Sequence, residues 1–276
     1  MRHSTEHSLF FMHIPKCAGT SIGTALDPIA SFPLKSFAED LGKNIEDTAY
    51  ALSDFGFEHD TLGKMHQMHI PLSYLESDFP NTLQLLKEAK NSFALLRDPR
   101  DRFISAIFQN LREFEHMGAS DITEDIIREK AEHVCDWLSR RDRFCDLEYI
   151  HFTRQVDYLK LDETFLVKKL FALEHMHEVE EWLSVNFGTA PFLGAPQNQS
   201  HKPKKWFSKV QPIVRYSART LLPSRVREAI FPLWIKSGLY EKASLGYSKV
   251  DLGDKVDSFI DEFYLEDMRL RATLIK

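Results

Sequence analysis

The repeated pairing of a short apolar run with a helical segment limits the possible folds of this chain more than any other feature. Three runs have the length and character of buried strands: Leu9–Met12, Ser92–Leu96 and Phe165–Leu173. A helical segment follows each run, and after the second run it is marked by Phe103, Ile107 and Leu111. Short strands without polar alternation are buried on both faces, and strands that alternate with helices form mostly parallel sheets. The pattern therefore predicts a three-layer α/β fold, with a central, mostly parallel sheet flanked by helices.

Local signals mark further helices. Asp121 with Glu124 three residues later resembles a capping box, and apolar residues at helical spacing follow it. A helix from about His177 to Asn186 precedes Gly188, a residue that suits its C-terminal end. The apolar face of a C-terminal amphipathic helix consists of Val256, Phe259, Ile260 and Phe263. Residues 30–65 are only weakly periodic, and the sequence assigns them no element.

Length and charge restrict the class of protein. The chain has 276 residues and a net charge of −6. This length fits one large α/β domain or two small ones, and we expect a single domain over residues 1–276. The negative net charge provides no protein-wide positive field, so nucleic acid is not an expected partner. Any site for an anion must therefore be built locally.

Cysteine usage and hydropathy indicate the compartment. The three cysteines are Cys17, Cys135 and Cys145, and no two of them form a CxxC pair. A zinc site or a redox motif is therefore not indicated, and we expect no metal. No apolar run approaches the roughly 20 residues that span a bilayer, and no signal-peptide pattern is present. The sequence predicts a cytoplasmic protein without a transmembrane segment.

The loop after the first predicted strand has the composition of an anion site. Pro15–Ser21 combines the small residue Gly19 with Lys16 and the hydroxyl side chains of Thr20 and Ser21. Successive N–H groups in such a loop, and the N-terminus of the helix that follows, favour a phosphate or a sulfate. A Walker A loop would place its lysine directly after its second glycine, whereas Lys16 precedes Gly19. The alternative is an ordinary strand-to-helix turn that happens to contain a lysine.

A second cationic motif follows the second predicted strand. Three arginines lie at the start of the helix, namely Arg97, Arg100 and Arg102. Ser105 follows them in the same helix. Arginine side chains match phosphate oxygens bidentately, and a helix can bring Ser105 near the same anion. The alternative is a charged helix start in which Asp98 and Asp101 neutralise the arginines. Two anion loops at neighbouring strand ends predict a ligand with two separated phosphate-like groups, such as a nucleotide phosphorylated at both 5′ and 3′ positions.

These two motifs carry a family resemblance. Phe11–Ser21 resembles the 5′-phosphosulfate loop of carbohydrate-type sulfotransferases, in particular the group of the heparan sulfate 2-O-, chondroitin and dermatan enzymes. Leu96–Ser105 resembles the 3′-phosphate motif of that family. Weaker similarities to family elements are found in Gln155, Tyr158-Leu159, Phe171–Glu174, Asn198–Ser200, and Phe263-Tyr264 with Asp267. The resemblance covers most of the chain, and residues 30–65 and 206–250 match least.

The resemblance implies a P-loop-like fold and a donor, 3′-phosphoadenosine-5′-phosphosulfate (PAPS), whose sulfuryl group passes to an acceptor hydroxyl, expected on a saccharide. Residues implied to bind the 5′-phosphosulfate are Lys16, Cys17, Ala18, Gly19, Thr20 and Ser21. Arg97 and Ser105 are implied to bind the 3′-phosphate. Lys204, in the basic loop His201–Trp206, is expected to close over the nucleotide, although a solvated run of charges explains that loop equally well.

The resemblance also implies a catalytic histidine. His69-Ile70-Pro71 is similar to the Gly-His-x-Pro element of the family, except that Met68 stands in place of the glycine. We expect His69 to be the general base and Lys16 to stabilise the leaving group, with His66 as the rival base. A pair of structural histidines is the alternative. Two other functions stay open, namely a P-loop-type small-molecule kinase and a non-catalytic nucleotide-binding protein.

Overall fold

The protein is described by a computed structural model over residues 1–53, 56–118, 121–189, 201–203, 240–242 and 250–275. Its strands are β1 (Arg2–Ser4), β2 (Leu9–Phe11), β3 (Phe57–His59), β4 (Gly63–Met65), β5 (Asn91–Leu96), β6 (Lys160–Leu161), β7 (Thr164–Phe165), β8 (Lys169–Ala172), β9 (His201–Pro203) and β10 (Tyr240–Lys242). Its helices are α1 (Gly19–Leu26), α2 (Leu34–Asp40), α3 (Ile45–Ala51), α4 (Leu72–Asp78), α5 (Pro80–Glu88), α6 (Pro99–Glu113), α7 (Glu124–Leu138), α8 (Met176–Phe187), α9 (Asp254–Phe263) and α10 (Leu265–Ala272). Short 3-10 turns cover Ile150–Phe152 and Gln155–Tyr158.

A mixed sheet of four strands lies at the centre, in the order β1-β2-β5-β8. The pairs β2–β5 and β5–β8 are parallel, and β1 is antiparallel to β2. All of β2 and residues Ser92–Leu96 of β5 are buried. Because successive side chains of a strand point to opposite faces, this burial means that both faces of the sheet are covered. The predicted α/β fold with a mostly parallel sheet flanked by helices is confirmed.

The third predicted strand is the main correction. Phe165–Leu173 is not one buried strand, because Phe165 is 49% exposed and only Lys169–Ala172 joins the sheet. The backbone N–H of Leu166 donates to the carbonyl of Leu159 at 2.9 Å, which keeps the first part in the β6–β7 hairpin. An apolar run alone does not show that the chain changes sheets within it.

The capping box was also wrong in detail. Thr123 is the N-cap of α7, and its side chain accepts from the N–H of Ile126. The N–H of Asp121 instead donates to the carbonyl of Gly118 in the preceding turn. The predicted helix itself is confirmed, since its apolar positions are all buried: Ile127, Ala131, Val134 and Leu138. The predicted helix before Gly188 is confirmed as α8, which ends on that glycine in a left-handed conformation.

Two hydrophobic clusters stabilise the chain. The larger one contains the sheet and residues of α1, α2, α4, α5 and α8, and the second is built mainly from α6, α7 and α9. The predicted amphipathic C-terminal helix is α9, which buries Val256 and Ile260. Residues 30–65, which the sequence left unassigned, contain α2, α3, β3 and β4. Within the described ranges, no helix combines the length and the apolar character needed to cross a membrane.

Candidate active site

The predicted phosphate loop connects β2 to α1. Lys16 and Ala18 have φ angles of 66° and 57°, in the left-handed region, and the chain turns sharply through them before α1 begins at Gly19. No side chain among the described residues caps this helix end. The N–H groups of the first turn lack intrahelical acceptors and are available to an anion. Thr20 is exposed and Ser21 is half-buried, so both hydroxyl groups lie at the surface of the loop.

Gly19 is required here by the close approach of an imidazole. A Cβ atom on Gly19 would lie 1.5 Å from Nε2 of His13. Any other residue would therefore have to displace the His13 ring from the helix start. The sequence motif alone shows a small residue in the loop. The structure shows that the space left by the absent side chain is occupied by the imidazole of His13.

Lys16 and Cys17 face different environments. The Lys16 ammonium donates to Oε1 of Gln109 on α6. Burial, followed by the charges of Arg112 and Arg97, lowers the pKa of Lys16 to about 8, so the side chain is still mostly charged at neutral pH. The Cys17 thiol is buried, and burial raises its pKa to about 11. The side chain of Cys17 therefore faces the interior, and its backbone N–H donates to the carbonyl oxygen of Ile14 at 3.4 Å.

The second predicted motif lies directly against the first. Nη1 of Arg97 donates to the carbonyl oxygen of Lys16 at 3.2 Å. The structure thus brings the strand ends of β2 and β5 together, as the parallel sheet requires. Ser105 is buried on α6, between Arg102 and Gln109 along one helix face. Since Arg102 binds Pro15 and Gln109 binds Lys16, that face looks onto the phosphate loop.

The other two arginines of the motif serve the fold. Arg102 is fully buried, and its guanidinium donates to the carbonyls of Pro15 at 3.0 Å and Thr153 at 2.5 Å. Arg100 forms an ion pair with Asp257 of α9 at 2.8 Å. Of the three arginines that the sequence placed at this helix start, Arg100 therefore pairs with α9, and Arg102 holds the backbone of the phosphate loop from inside the protein.

Four imidazoles cluster beside the phosphate loop. The ring centroid of His69 lies 4.5 Å from that of His13, 4.3 Å from that of His66 and 5.3 Å from that of His151. Burial is the main cause that lowers the pKa of every member, to about 4 for His66 and about 3 for His151. All four rings are therefore neutral at pH 7. The Nδ1 atoms of His13 and His151 are buried and have no hydrogen-bond partner among the described residues.

The histidine cluster includes a residue that sequence reasoning missed. His151 is 4% exposed, and Lys16 is the charge that most lowers its pKa, so the ring lies near both Lys16 and His69. Because His151 lies 82 residues beyond His69 in the sequence, no local motif indicated that the two rings are close in space. Gln109 was also missed, although its spacing of four residues from Ser105 places both on one helix face and could have suggested it. Lys204 lies outside the described residues.

Comparison with known proteins identifies the family of this chain. The profile described as "Sulfotransferase family" matches residues 1–218, which is more than three quarters of the chain and includes every described residue of both loops. No curated protein and no solved structure matches significantly. No group of three or more His, Cys, Asp or Glu side chains in the described ranges has an arrangement that could hold a metal ion. The profile match, which spans both anion loops, shows that the chain belongs to the sulfotransferase family.

Proposed function

We propose that this protein transfers a sulfuryl group from PAPS to an acceptor hydroxyl on a carbohydrate. The observation that carries the proposal is the contact between the two anion motifs, where Nη1 of Arg97 lies 3.2 Å from the carbonyl oxygen of Lys16. A ligand at this junction faces a loop of free N–H groups on one side and a guanidinium on the other. That arrangement suits a nucleotide with a charged group at each end of its ribose.

In this proposal the two loops divide the donor between them. The N–H groups of Gly19, Thr20 and Ser21, together with Lys16, bind the 5′-phosphosulfate, while Arg97 and Ser105 bind the 3′-phosphate. Lys16 must leave Gln109 to reach the donor, which a single hydrogen bond permits. The cost of moving it is offset by the interaction of an ammonium with a doubly charged group in a partly buried site.

Hydrogen bonding favours His69 over His66 as the base. Nδ1 of His69 lies 3.4 Å from the carbonyl oxygen of His13, so a neutral ring keeps its proton on Nδ1 and leaves Nε2 as the acceptor. Nδ1 of His66 accepts from the N–H of Met68 at 3.2 Å, so that ring carries its proton on Nε2. Of these two rings, His69 is therefore the one that presents an unprotonated Nε2 in its resting tautomer.

The reaction then follows from these positions. The acceptor oxygen forms a bond to sulfur while the bond from sulfur to the 5′-phosphate oxygen breaks, and Nε2 of His69 takes the hydroxyl proton. Lys16 and the loop N–H groups stabilise the negative charge that develops on the departing phosphate oxygen. The pKa of His69 is far below its usual range in the free protein, mainly through burial. A bound anion beside the ring raises that pKa and makes His69 a stronger base.

Turnover with radiolabelled PAPS and a panel of glycans tests the proposal directly. Label should move to at least one glycan, and the other product should be adenosine 3′,5′-bisphosphate (PAP). Heparan, chondroitin and dermatan backbones are the first acceptors to compare, because the sequence resembles enzymes that act on them. Transfer to small phenols alone would overturn the carbohydrate assignment and keep the sulfotransferase.

The two competing functions predict other results. A P-loop kinase would be stabilised by ATP, so a melting-temperature increase with ATP and none with PAP would favour it. A non-catalytic nucleotide-binding protein would be stabilised by PAP and transfer nothing. The position of Lys16 before the helix, and the presence of Arg97 at the second strand end, support PAP as the better ligand.

A further inference from the structure

The side-chain amide of Gln155 links the two anion loops. Gln155 is fully buried, and its Oε1 accepts from the N–H of Arg97 at 2.9 Å and from the thiol of Cys17 at 3.3 Å. Its Nε2 donates to the carbonyl oxygen of Arg97 at 2.9 Å. One planar group thus contacts the phosphate loop through Cys17 and both backbone groups of Arg97.

The backbone of the segment that carries Gln155 is held in place by hydrogen bonds to Asp267. Asp267 of α10 is fully buried, and its two carboxylate oxygens accept from the N–H groups of Gln155 at 2.8 Å and Val156 at 2.9 Å. Arg102 also ties the carbonyl of Thr153 to that of Pro15 in the phosphate loop. The backbone of Gln155 is therefore held by α10, which belongs to neither loop. Its side chain gives both loops the same fixed point of attachment.

We infer that Gln155 is a positioning residue that sets the separation between the two anion loops and so the preference for a nucleotide phosphorylated at both ends. The inference rests on the proposed function, in which each loop binds one charged group of the same donor. It concerns the distance between the loops and leaves the chemistry of transfer to other residues. Among the residues that the structure describes, the side chain of Gln155 contacts the two loops through Cys17 and Arg97.

The expected consequence differs between ligands. A nucleotide with one phosphate uses one loop at a time, and each loop keeps its own N–H groups or guanidinium without Gln155. A nucleotide with two phosphates needs both loops at a fixed spacing, and its affinity depends on how well that spacing is preorganised. Loss of the link should therefore weaken binding of PAP far more than binding of 5′-AMP or 3′-AMP.

Calorimetry on the full chain tests this with Gln155→Met, which keeps the length of the side chain and removes all three hydrogen bonds. Wild type should bind PAP much more tightly than either mononucleotide. The variant should lose about 10- to 100-fold in PAP affinity, as expected for buried hydrogen bonds, and less than about 3-fold for 5′-AMP and 3′-AMP. The ratio of PAP to 5′-AMP affinity is the decisive quantity, because general destabilisation lowers all three affinities together.

A matched control is Asn110→Ala. Asn110 is another buried amide, on α6, whose Nδ2 donates to the carbonyl of Glu148 at 3.0 Å, and Glu148 belongs to neither loop. It should leave the affinity ratio unchanged. If Gln155→Met does not fold, Asp267→Asn replaces it, because this change weakens the anchor of Gln155 and should lower the same ratio by about 3- to 10-fold.

The outcomes separate the inference from the function on which it rests. Equal losses for PAP and the mononucleotides, or an unchanged ratio in the variant, overturn the role of Gln155 and leave the proposed function standing. A wild-type protein that binds PAP no better than 5′-AMP overturns the two-loop donor site, and the role of Gln155 is overturned with it.

Discussion

At the scale of single residues, the proposed role of Lys16 in stabilising the leaving group can be tested by substitution. In the free protein its ammonium donates a hydrogen bond to the side chain of Gln109. We expect Lys16→Ala to lower kcat by about 10²–10³, the usual cost of losing one electrostatic contact to a leaving group. PAPS turnover and a melting curve measure the two effects separately.

The control for that change is Lys87→Ala, an exposed lysine in the last turn of α5. It removes the same charge at a distance from the loops and should leave kcat unchanged. Near-normal turnover in Lys16→Ala would assign Lys16 to the fold. A lower melting temperature with a proportional loss of activity would point the same way.

The two candidate bases can be ranked by substitution. His69→Ala should lower activity by about 10²–10⁴, the usual share of general acid–base catalysis, and PAP affinity should hardly change. His66→Ala should be milder, since the Nδ1 atom of His66 is used by the N–H of Met68. Initial rates and PAP calorimetry on both variants decide the order. The reverse order would contradict the assignment of His69. It would mean that the similarity of His69-Ile70-Pro71 to the family element, in which Met68 replaces a glycine, does not identify the base.

At the scale of an element, helix α1 offers two glycines with opposite roles. Gly19→Ala places a Cβ atom 1.5 Å from Nε2 of His13, so the ring or the loop must move. We expect it to lower the free energy of unfolding by about 1–3 kcal/mol, as overpacking does, and to abolish measurable PAP binding. Urea denaturation and calorimetry report the two losses.

Gly23→Ala lies one turn further along the same helix. Its Cβ atom would meet the flexible end of Arg2, whose Nε lies 3.3 Å away. Alanine is the better helix former by about 1 kcal/mol, so stability should stay equal or rise and PAP binding should be kept. Equal behaviour of the two variants would show that the contact between Gly19 and His13 is not what the loop depends on.

At the scale of the whole molecule, the histidine cluster makes stability depend on pH. The pKa of His66 is lowered to about 4 and that of His151 to about 3, mainly by burial, whereas an unfolded histidine titrates near 6.5. Below pH 6.5 the unfolded chain therefore binds protons that the folded chain does not, and the folded state loses stability. For these two rings the free energy of unfolding should fall by about 2–3 kcal/mol between pH 7.5 and 5.5.

The carboxyls of Asp101, Asp157 and Asp267 oppose this trend, because burial raises the pKa of each. Burial raises the pKa of Asp267 to about 6, so its protonation favours the folded state as the pH falls from 6 toward 4. Because the pKa values of His13 and His69 are lowered as well, four histidines act against these carboxyls, and the net loss of stability at pH 5.5 should remain.

Urea midpoints at pH 7.5, 6.5 and 5.5 measure this loss of stability. The double variant His66→Asn, His151→Asn should show a smaller dependence of stability on pH. The variant of the exposed residue, His116→Asn, should behave like the wild type. An equal pH dependence in the wild type and both variants would contradict the histidine cluster as its source.

Local sequence determined the parts of this protein that depend on neighbouring residues. The apolar runs at β2 and β5, the helical spacing in α6 and α7, and the small and basic residues of the loop after β2 are patterns within about 15 residues, and they predicted the fold class and the two anion motifs. The exception is β8, where the apolar run hid a change of sheet, because hydropathy does not report which strand supplies the hydrogen bonds.

Tertiary structure alone decided how the site is assembled. Arg97, Arg100 and Arg102 are equivalent in the sequence, but Arg102 turns inward because carbonyl oxygens 87 and 51 residues away accept from its guanidinium. The neutral histidine cluster and the link through Gln155, 138 residues from Cys17, depend in the same way on partners that only folding brings together. Hydrogen bonds and burial act over a few ångströms in space, and no spacing along the chain encodes those distances.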